Sequence, residues 1–321
     1  AKDLLKHSNR VANMSSWVRV LEDLRSRRRG NPGFFIEPNI SSLMLRRAQL
    51  LRTFGAWDSV RFGADTELWE RIKRLHGKSA VGILPELLSF GRLTSQSLTE
   101  HPDFGYAGFP SGARREYREC YLRHHAQASH LRYSFPMERR PFSVPRPMHA
   151  DLPSTNGTAD DFDLIVASDF RLTSNAVKGI QALEECLRNS RRRAALVQVW
   201  RFDMDPETPI DEKVRSFAEY QGIPFLVSGE KAVCSELLVI DRKVLVHPQD
   251  RLPEIHTKTH PKIMDDLGRA EDSRESRSGD LATMLSNAHL HYGDPPLASR
   301  KETPVPDPDA VNAPEPKGGQ L

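Results

Sequence analysis

The run Leu164-Ile165-Val166-Ala167 is short and unbroken, the pattern of a strand buried on both faces. Val177, Ile180, Leu183 and Leu187 follow at helical spacing, with Ser174 placed to cap that helix. Residues 195–200 predict a second strand and residues 211–220 a second helix, with Val214, Phe217 and Ala218 on one face. Residues 224–227 predict a third strand, and the apolar runs at 237–240 and 244–246 add one or two more. Strands separated by about ten to fifteen helical residues need crossover connections, which make a parallel sheet. Residues 161–264 therefore predict an α/β unit.

The N-terminal region is less regular. Residues 17–21 predict a strand, followed by an Arg-rich hairpin or loop through Gly33. Residues 42–54 predict an amphipathic helix broken near Gly55, with Leu43, Leu50 and Leu51 apolar and Arg46-Arg47 basic. Residues 65–75 predict another, with Leu68, Ile72 and Leu75 on one face and Glu67, Glu70, Arg71 and Arg74 mostly elsewhere. Pro136, Pro141, Pro145, Pro147 and Pro153 crowd one stretch. Proline fixes φ and removes a backbone donor, so residues 131–160 predict a linker. From about residue 265 the chain turns charged and small, and seven prolines fall in the last 27 residues. Such a segment buries too little apolar surface to offset its ordering entropy, which predicts a disordered tail over 265–321. The expected organisation is thus a first unit at 1–130, a linker, the second unit at 161–264, and the tail.

Charge and cysteine usage narrow the partners. Lys and Arg total 46 against 43 Asp and Glu, a net charge of +3. That balance gives no electrostatic case for nucleic acid. The clusters at 25–29 and 191–193 lack interleaved aromatics for base stacking and read as exposed loops. Cys120, Cys186 and Cys234 show neither metal spacing nor a disulfide framework, which suits a reducing, cytoplasmic setting. No apolar run approaches the roughly 18 residues of a membrane span. Peripheral association with the inner face of a membrane stays open. The chain begins with Ala1 and shows no signal peptide, so a fragment of a longer protein is expected.

The stretch richest in chemistry is Gly63-Ala64-Asp65-Thr66-Glu67-Leu68-Trp69-Glu70-Arg71. Asp65 sits where a loop becomes a helix, and the free N–H groups and dipole there favour its ionised form. A positioned carboxylate of this kind can serve as a general base. The plainer alternative is a helix cap. Asp58 can orient an acceptor or cap its turn locally. Arg46 and Arg47 can meet phosphates through their guanidinium forks or form a solvated basic face. Glu67 is a further substrate-binding candidate. In the second unit Ser168, Asp169 and Arg171 follow the first strand at its carboxyl end, the edge where open α/β sheets bind ligands. No Gly-x-Gly-x-x-Gly accompanies them, which argues against a dinucleotide; ordinary turn chemistry is the alternative.

Three elements together are similar to the second half of a family-2 glycosyltransferase domain of the GT-A type. They are Ser41-Ser42-Leu43-Met44-Leu45-Arg46-Arg47, Gly55-Ala56-Trp57-Asp58 and the Gly63 to Arg71 stretch. Asp65, Leu68 and Arg71 fall on the Asp, Leu and Arg of the family's Glu-Asp-x-x-Leu-x-x-Arg motif, while Ala64 replaces its Glu. The resemblance covers roughly residues 15–125, including Ser95 to Thr99 and Arg114 to Tyr117. It implies that Asp65 deprotonates the acceptor hydroxyl in an inverting transfer from a nucleotide-sugar donor. It also implies Mn²⁺ or Mg²⁺ held by a preceding half, with no metal site assured in this chain. Asp203-Met204-Asp205 has the spelling of the family's metal motif but lies in the other unit, and its plain reading is a loop of solvated acids. His101, His124, His125 and His130 match no zinc spacing.

The second unit resembles the first Rossmann-like half of a GT-B glycosyltransferase, of the kind fused behind family-2 domains in large bacterial glycan-assembly proteins. The expected function is a piece of a hexosyltransferase-like enzyme that passes sugar to a glycan or related hydroxyl acceptor in surface-polysaccharide biosynthesis, and is inactive alone. The competing expectation is a non-catalytic Rossmann-like binding or scaffolding module attached to a decayed transferase.

Overall fold

The computed structural model describes residues 1–26, 36–94, 105, 111–150, 159–188, 191–249, 251–264, 270–272 and 285–292. A short helix, α1 (Lys2–Lys6), leads into β1 (Ala12–Val20), on which the first sheet is built. The antiparallel strands β2 (Ile36–Pro38) and β3 (Met44–Leu45) pair with β1, followed by one turn of helix, α2 (Arg47–Gln49). Helix α3 (Ala64–His76) crosses behind the sheet, and β4 (Val81–Arg92) pairs parallel to β1. Leu68 and Ile72 of α3 pack on Ala12, Met14, Phe54 and Val81. Helix α4 (Ala113–Gln127) completes this part.

The second sheet starts with β5 (Asp160–Ser168), then α5 (Thr173–Leu187), β6 (Ala194–Gln198), α6 (Glu212–Gln221), β7 (Phe225–Leu226) and β8 (Lys231–Ile240). It is extended by β9 (Glu254–Thr257), β10 (Lys262–Met264), β11 (Ala270–Asp272) and β12 (Leu290–Tyr292). The order β11-β10-β8-β5-β6-β7 is parallel throughout except for β11. The chain steps outward from β5 to β7 and returns to β8 beside β5, so the switch point lies between β5 and β8. Leu164, Val166, Leu196 and Leu238 meet α5 and α6 on one face. Ile165, Ala167, Val197 and Val239 face Val244, Leu245, Leu252 and Ile255 on the other. Burial on both faces explains why these strands are apolar at every position. The α/β fold class expected from the sequence is what the chain adopts.

Several local expectations change. Residues 42–54 are not one helix: β3 takes the free edge of β1, and residues 50–54 make a wide turn ending at Gly55. Residues 244–246 are not a strand. They lie in and beside a 3₁₀ turn whose start is capped by the Asp241 side chain. On α5 the buried positions are Asn175, Ala176, Gly179, Leu183 and Cys186, whereas Val177 is 38% exposed and Ser174 is not the cap. The register follows Phe170, whose ring leaves only 2.8 Å for a Cβ at Gly179. On α3, Glu67 and Arg71 are buried and Leu75 is partly exposed.

The expected linker is the largest correction. Leu131, Tyr133, Phe142 and Met148 are buried, and the last three pack with Tyr117 and Tyr121 of α4. The strap is stitched to the first unit by Tyr133 N–H to the Phe54 carbonyl (3.0 Å), Ala56 N–H to the Tyr133 carbonyl (2.9 Å) and Arg61 N–H to the Met148 carbonyl (2.9 Å). Aromatic residues between the prolines give it a buried side, and extended backbone can still accept hydrogen bonds. Within the expected tail, residues 270–272 and 285–292 form β11, β12 and their approach, with Leu285, Ala288 and Leu290 in the core. Most of the tail and most of the Arg-rich 25–33 loop lie outside the described residues, as does the 95–99 segment.

Candidate functional site

The N-cap of α3 is Gly63, at φ 85°, a left-handed conformation that glycine adopts without strain. Asp65 therefore lies in the first turn and is not the cap. Its Oδ1 accepts from the Thr66 N–H at 2.8 Å. The carboxylate is half-buried and has no ion pair among the described residues. Its charge reaches the Tyr121 ring, one of several influences that raise the phenol, burial being the largest.

The other acids of this region are tied up. Asp58 is wholly buried: Tyr117 donates its hydroxyl to Oδ2 and Arg140 donates to Oδ1, both at 2.8 Å. Burial, then the Asp58 charge, drives the Tyr117 phenol far above its ordinary value, so it stays a proton donor. Glu67 is also wholly buried. It pairs with Arg71 at 3.0 Å, and its Oε1 lies 2.8 Å from His125 Nε2. The Arg71 guanidinium stacks 3.7 Å over the Tyr133 ring and donates to the carbonyls of Phe54 (2.6 Å) and Ala56 (2.9 Å). Arg46 donates to the carbonyls of Arg10 (2.7 Å) and His7 (3.2 Å), and to Leu4. Arg47, by contrast, is exposed at the start of α2. Of the five residues expected to act in the first unit, the structure closes Asp58, Glu67 and Arg46 into the framework and leaves Asp65 and Arg47 accessible.

The sheet-edge candidates form a second closed set. Ser168 donates to the Ile240 carbonyl at 2.8 Å, joining the ends of β5 and β8 at the switch point. Asp169 is fully buried and accepts from Arg171 Nε (2.9 Å) and Nη2 (2.6 Å), Gln198 Nε2 (2.8 Å) and Arg201 N–H (2.8 Å). Burial pushes its carboxyl up, but these donors outweigh it and hold the carboxyl below its usual value. Arg171 reaches on to the carbonyls of Asp205 (2.8 Å) and Arg201 (2.7 Å). Asp241, at the end of β8, has φ 67°, a strained position for a residue other than glycine, and pairs with Arg201 at 2.8 Å. Arg201 and Asp241 were not singled out from the sequence. Their available signal was an Asp directly after an apolar strand, the placement shared with Asp169.

Helix α4 covers this edge. Its Arg115 stacks 3.9 Å over Trp200, whose other neighbour is Arg171 at 5.1 Å, and donates to the Thr208 carbonyl at 3.0 Å. A cavity of about 640 Å³ remains between α4 and residues 207–212, with Arg171, Leu122 and Ile210 in its wall. Among the described residues no group of three His, Cys, Asp or Glu side chains gathers to hold a metal ion. Asp203 does not stand as a free metal ligand, because it accepts from Arg201 Nε at 2.9 Å. His125 is in the Glu67 cluster, and His101 lies outside the described residues. No helix among the described residues is long and apolar enough to cross a membrane. A scan against protein-family models and a search of curated proteins each gave no match.

Proposed function

We propose that the chain is part of a glycosyltransferase in which Asp65 is the general base. The observation that carries this reading is the contrast within one stretch. Asp58 and Glu67 are sealed in hydrogen bonds, while Asp65 is half-buried, free of any ion pair with a described residue, and fixed in the first turn of a rigid helix. In the proposed step its carboxylate takes the proton of an acceptor hydroxyl. The hydroxyl oxygen bonds to the anomeric carbon of a nucleotide sugar, and the bond from that carbon to the diphosphate breaks, the diphosphate leaving with the electron pair. Inversion, a glycan acceptor in surface-polysaccharide assembly and a cytoplasmic setting, with or without contact to the inner face of a membrane, belong to the same reading. The Mn²⁺ or Mg²⁺ expected with such a donor belongs, on this reading, to a preceding half, so no step is routed through a metal.

The test compares sugar transfer from UDP- and GDP-sugars by the protein as its natural gene encodes it with transfer by Asp65→Asn. The expected loss is about a hundredfold or more with an unchanged melting temperature. A near-normal rate in the variant removes Asp65 from the reaction. A second reading, a binding or scaffolding module on a decayed transferase, is favoured by the carboxyl edge of the second sheet, where Asp169 is held by Arg171 while a cavity stays open beside them. Saturable binding of a nucleotide sugar with no turnover by the same protein supports that alternative.

A further inference from the structure

A second cavity, of about 590 Å³, opens at the opposite edge of the second sheet, where the strap meets the amino ends of β5, β6 and β7. Its size is that of a small-molecule site at a junction between two parts of a chain. Guanidinium groups from both parts enter its wall, and their partners decide what it can bind. The acids in the wall are matched: Glu116 by Arg215, Asp160 by Arg146 and Glu219 by Arg123. Arg140 is held from beneath by Asp58. Arg139 and Arg193 are the surplus. Both are exposed at the rim, and neither guanidinium has a carboxylate partner among the described residues; Asp163 takes only the backbone N–H of Arg193, at 2.7 Å. Arg193 instead lies 5.0 Å over the Phe162 ring. The remaining acid, Glu230, is buried in the wall and takes the Val227 N–H at 2.7 Å. Burial lifts its carboxyl to about 7, so it does not repel an anion in mildly acidic solution and can donate to one.

We propose that this cavity binds a small phosphate or diphosphate ester, with Arg139 and Arg193 gripping the phosphate oxygens and the Phe162 ring forming part of the wall beside them. Guanidinium forks match phosphate geometry, and two unpaired forks at one mouth supply the charge. Asp65 does not line this cavity, so the site is separate from the proposed base.

The test is calorimetric titration with inorganic pyrophosphate at low ionic strength, using the wild-type chain and two double variants. Arg139→Gln with Arg193→Gln removes the proposed grip. Arg52→Gln with Lys213→Gln removes the same charge from exposed positions elsewhere. The expected result is saturable one-to-one binding, weakened at least tenfold by the first pair and less than twofold by the second. Absence of saturable binding, or equal weakening by both pairs, overturns the proposal. If the first pair fails to fold, mapping of phenylglyoxal modification decides: pyrophosphate protects Arg139 and Arg193 in the wild type if the site exists, and leaves them reactive if it does not.

Discussion

Arg215 on α6 is gripped by Glu116 on α4, its Nη2 lying 2.8 Å from Oε2, and the same nitrogen reaches Glu119 at 2.7 Å. Burial works against the charged guanidinium, but the Glu116 charge and the hydrogen bonds hold its pKa above the usual range. This pair joins the two sheets through their helices, and Arg123 extends it to Glu212 and Glu219. Replacing Arg215 by Ala leaves Glu116 without its ion-pair partner and Glu119 with Arg115 alone. The expected cost is about 3–5 kcal/mol in denaturant unfolding, because removing one partner of a buried pair strands the other. A loss below about 1 kcal/mol would mean that the pair is solvated and the two parts are joined elsewhere.

Gly55 allows the strap to approach. A Cβ at this position would stand 1.9 Å from the Tyr133 carbonyl oxygen, and φ is 67°. Gly55→Ala is therefore expected to lose about 2 kcal/mol or more, through both backbone strain and the forced separation of the strap. Gly77→Ala is the control. It has a similarly positive φ but nothing near its Cβ, so the difference between the two variants isolates the contact. Equal melting temperatures would show that the strap can move aside freely.

Glu230 gives stability a pH dependence of unusual sign. Burial raises its carboxyl from 4.5 to about 7, reinforced by Glu116 and opposed by the Val227 N–H and Arg146. Between those values the folded chain holds a proton that the unfolded chain has released. Stability therefore falls as pH rises from about 4.5 to 7 and then levels, by about 3 kcal/mol from this group. Asp169, Glu212 and Glu254 act oppositely: their lowered pKa values give stability that is lost as pH falls below the usual carboxylate range. Denaturant midpoints across pH 4.5–8 should decline in the wild type and flatten in Glu230→Gln, which should be the more stable at pH 8. A flat wild-type profile over that window would contradict the buried position of Glu230.

The parts legible in the sequence are those where a local pattern and the tertiary environment agree. The runs at 164–167, 195–199 and 237–240 are apolar because their strands are covered on both faces, so composition alone marks them. The strap was illegible because its order comes from distant partners. Proline density predicts the absence of a helix or ladder, and it says nothing of Tyr133 reaching Phe54 or Met148 reaching Arg61. The same limit applies to the candidate residues. Glu67 and Arg71 are four apart on a helix, so their pairing was readable, but His125 and Tyr133, which complete the burial, come from far along the chain. Asp58 read as a possible ligand contact because nothing near it in sequence reveals Tyr117 and Arg140.

Asp65 and Glu67 stand two residues apart in the first turn of α3, and opposite responses to removal of their charge are expected. Glu67→Gln keeps the shape but takes the anion from between Arg71 and His125, leaving a guanidinium buried against Tyr133 without its counter-ion. The expected loss is about 3 kcal/mol or more in denaturant unfolding. Asp65→Asn removes a half-buried carboxylate with no described ion partner, from a turn whose N-cap position is held by Gly63, and keeps an oxygen that can accept from the Thr66 N–H. Its expected cost is below about 1 kcal/mol, the modest contribution of a charge at a helix N-terminus. Measured side by side, the two variants separate framework from accessible carboxylate. If Asp65→Asn destabilised the fold as much as Glu67→Gln, Asp65 would be a structural residue and the case for it as a base would fall.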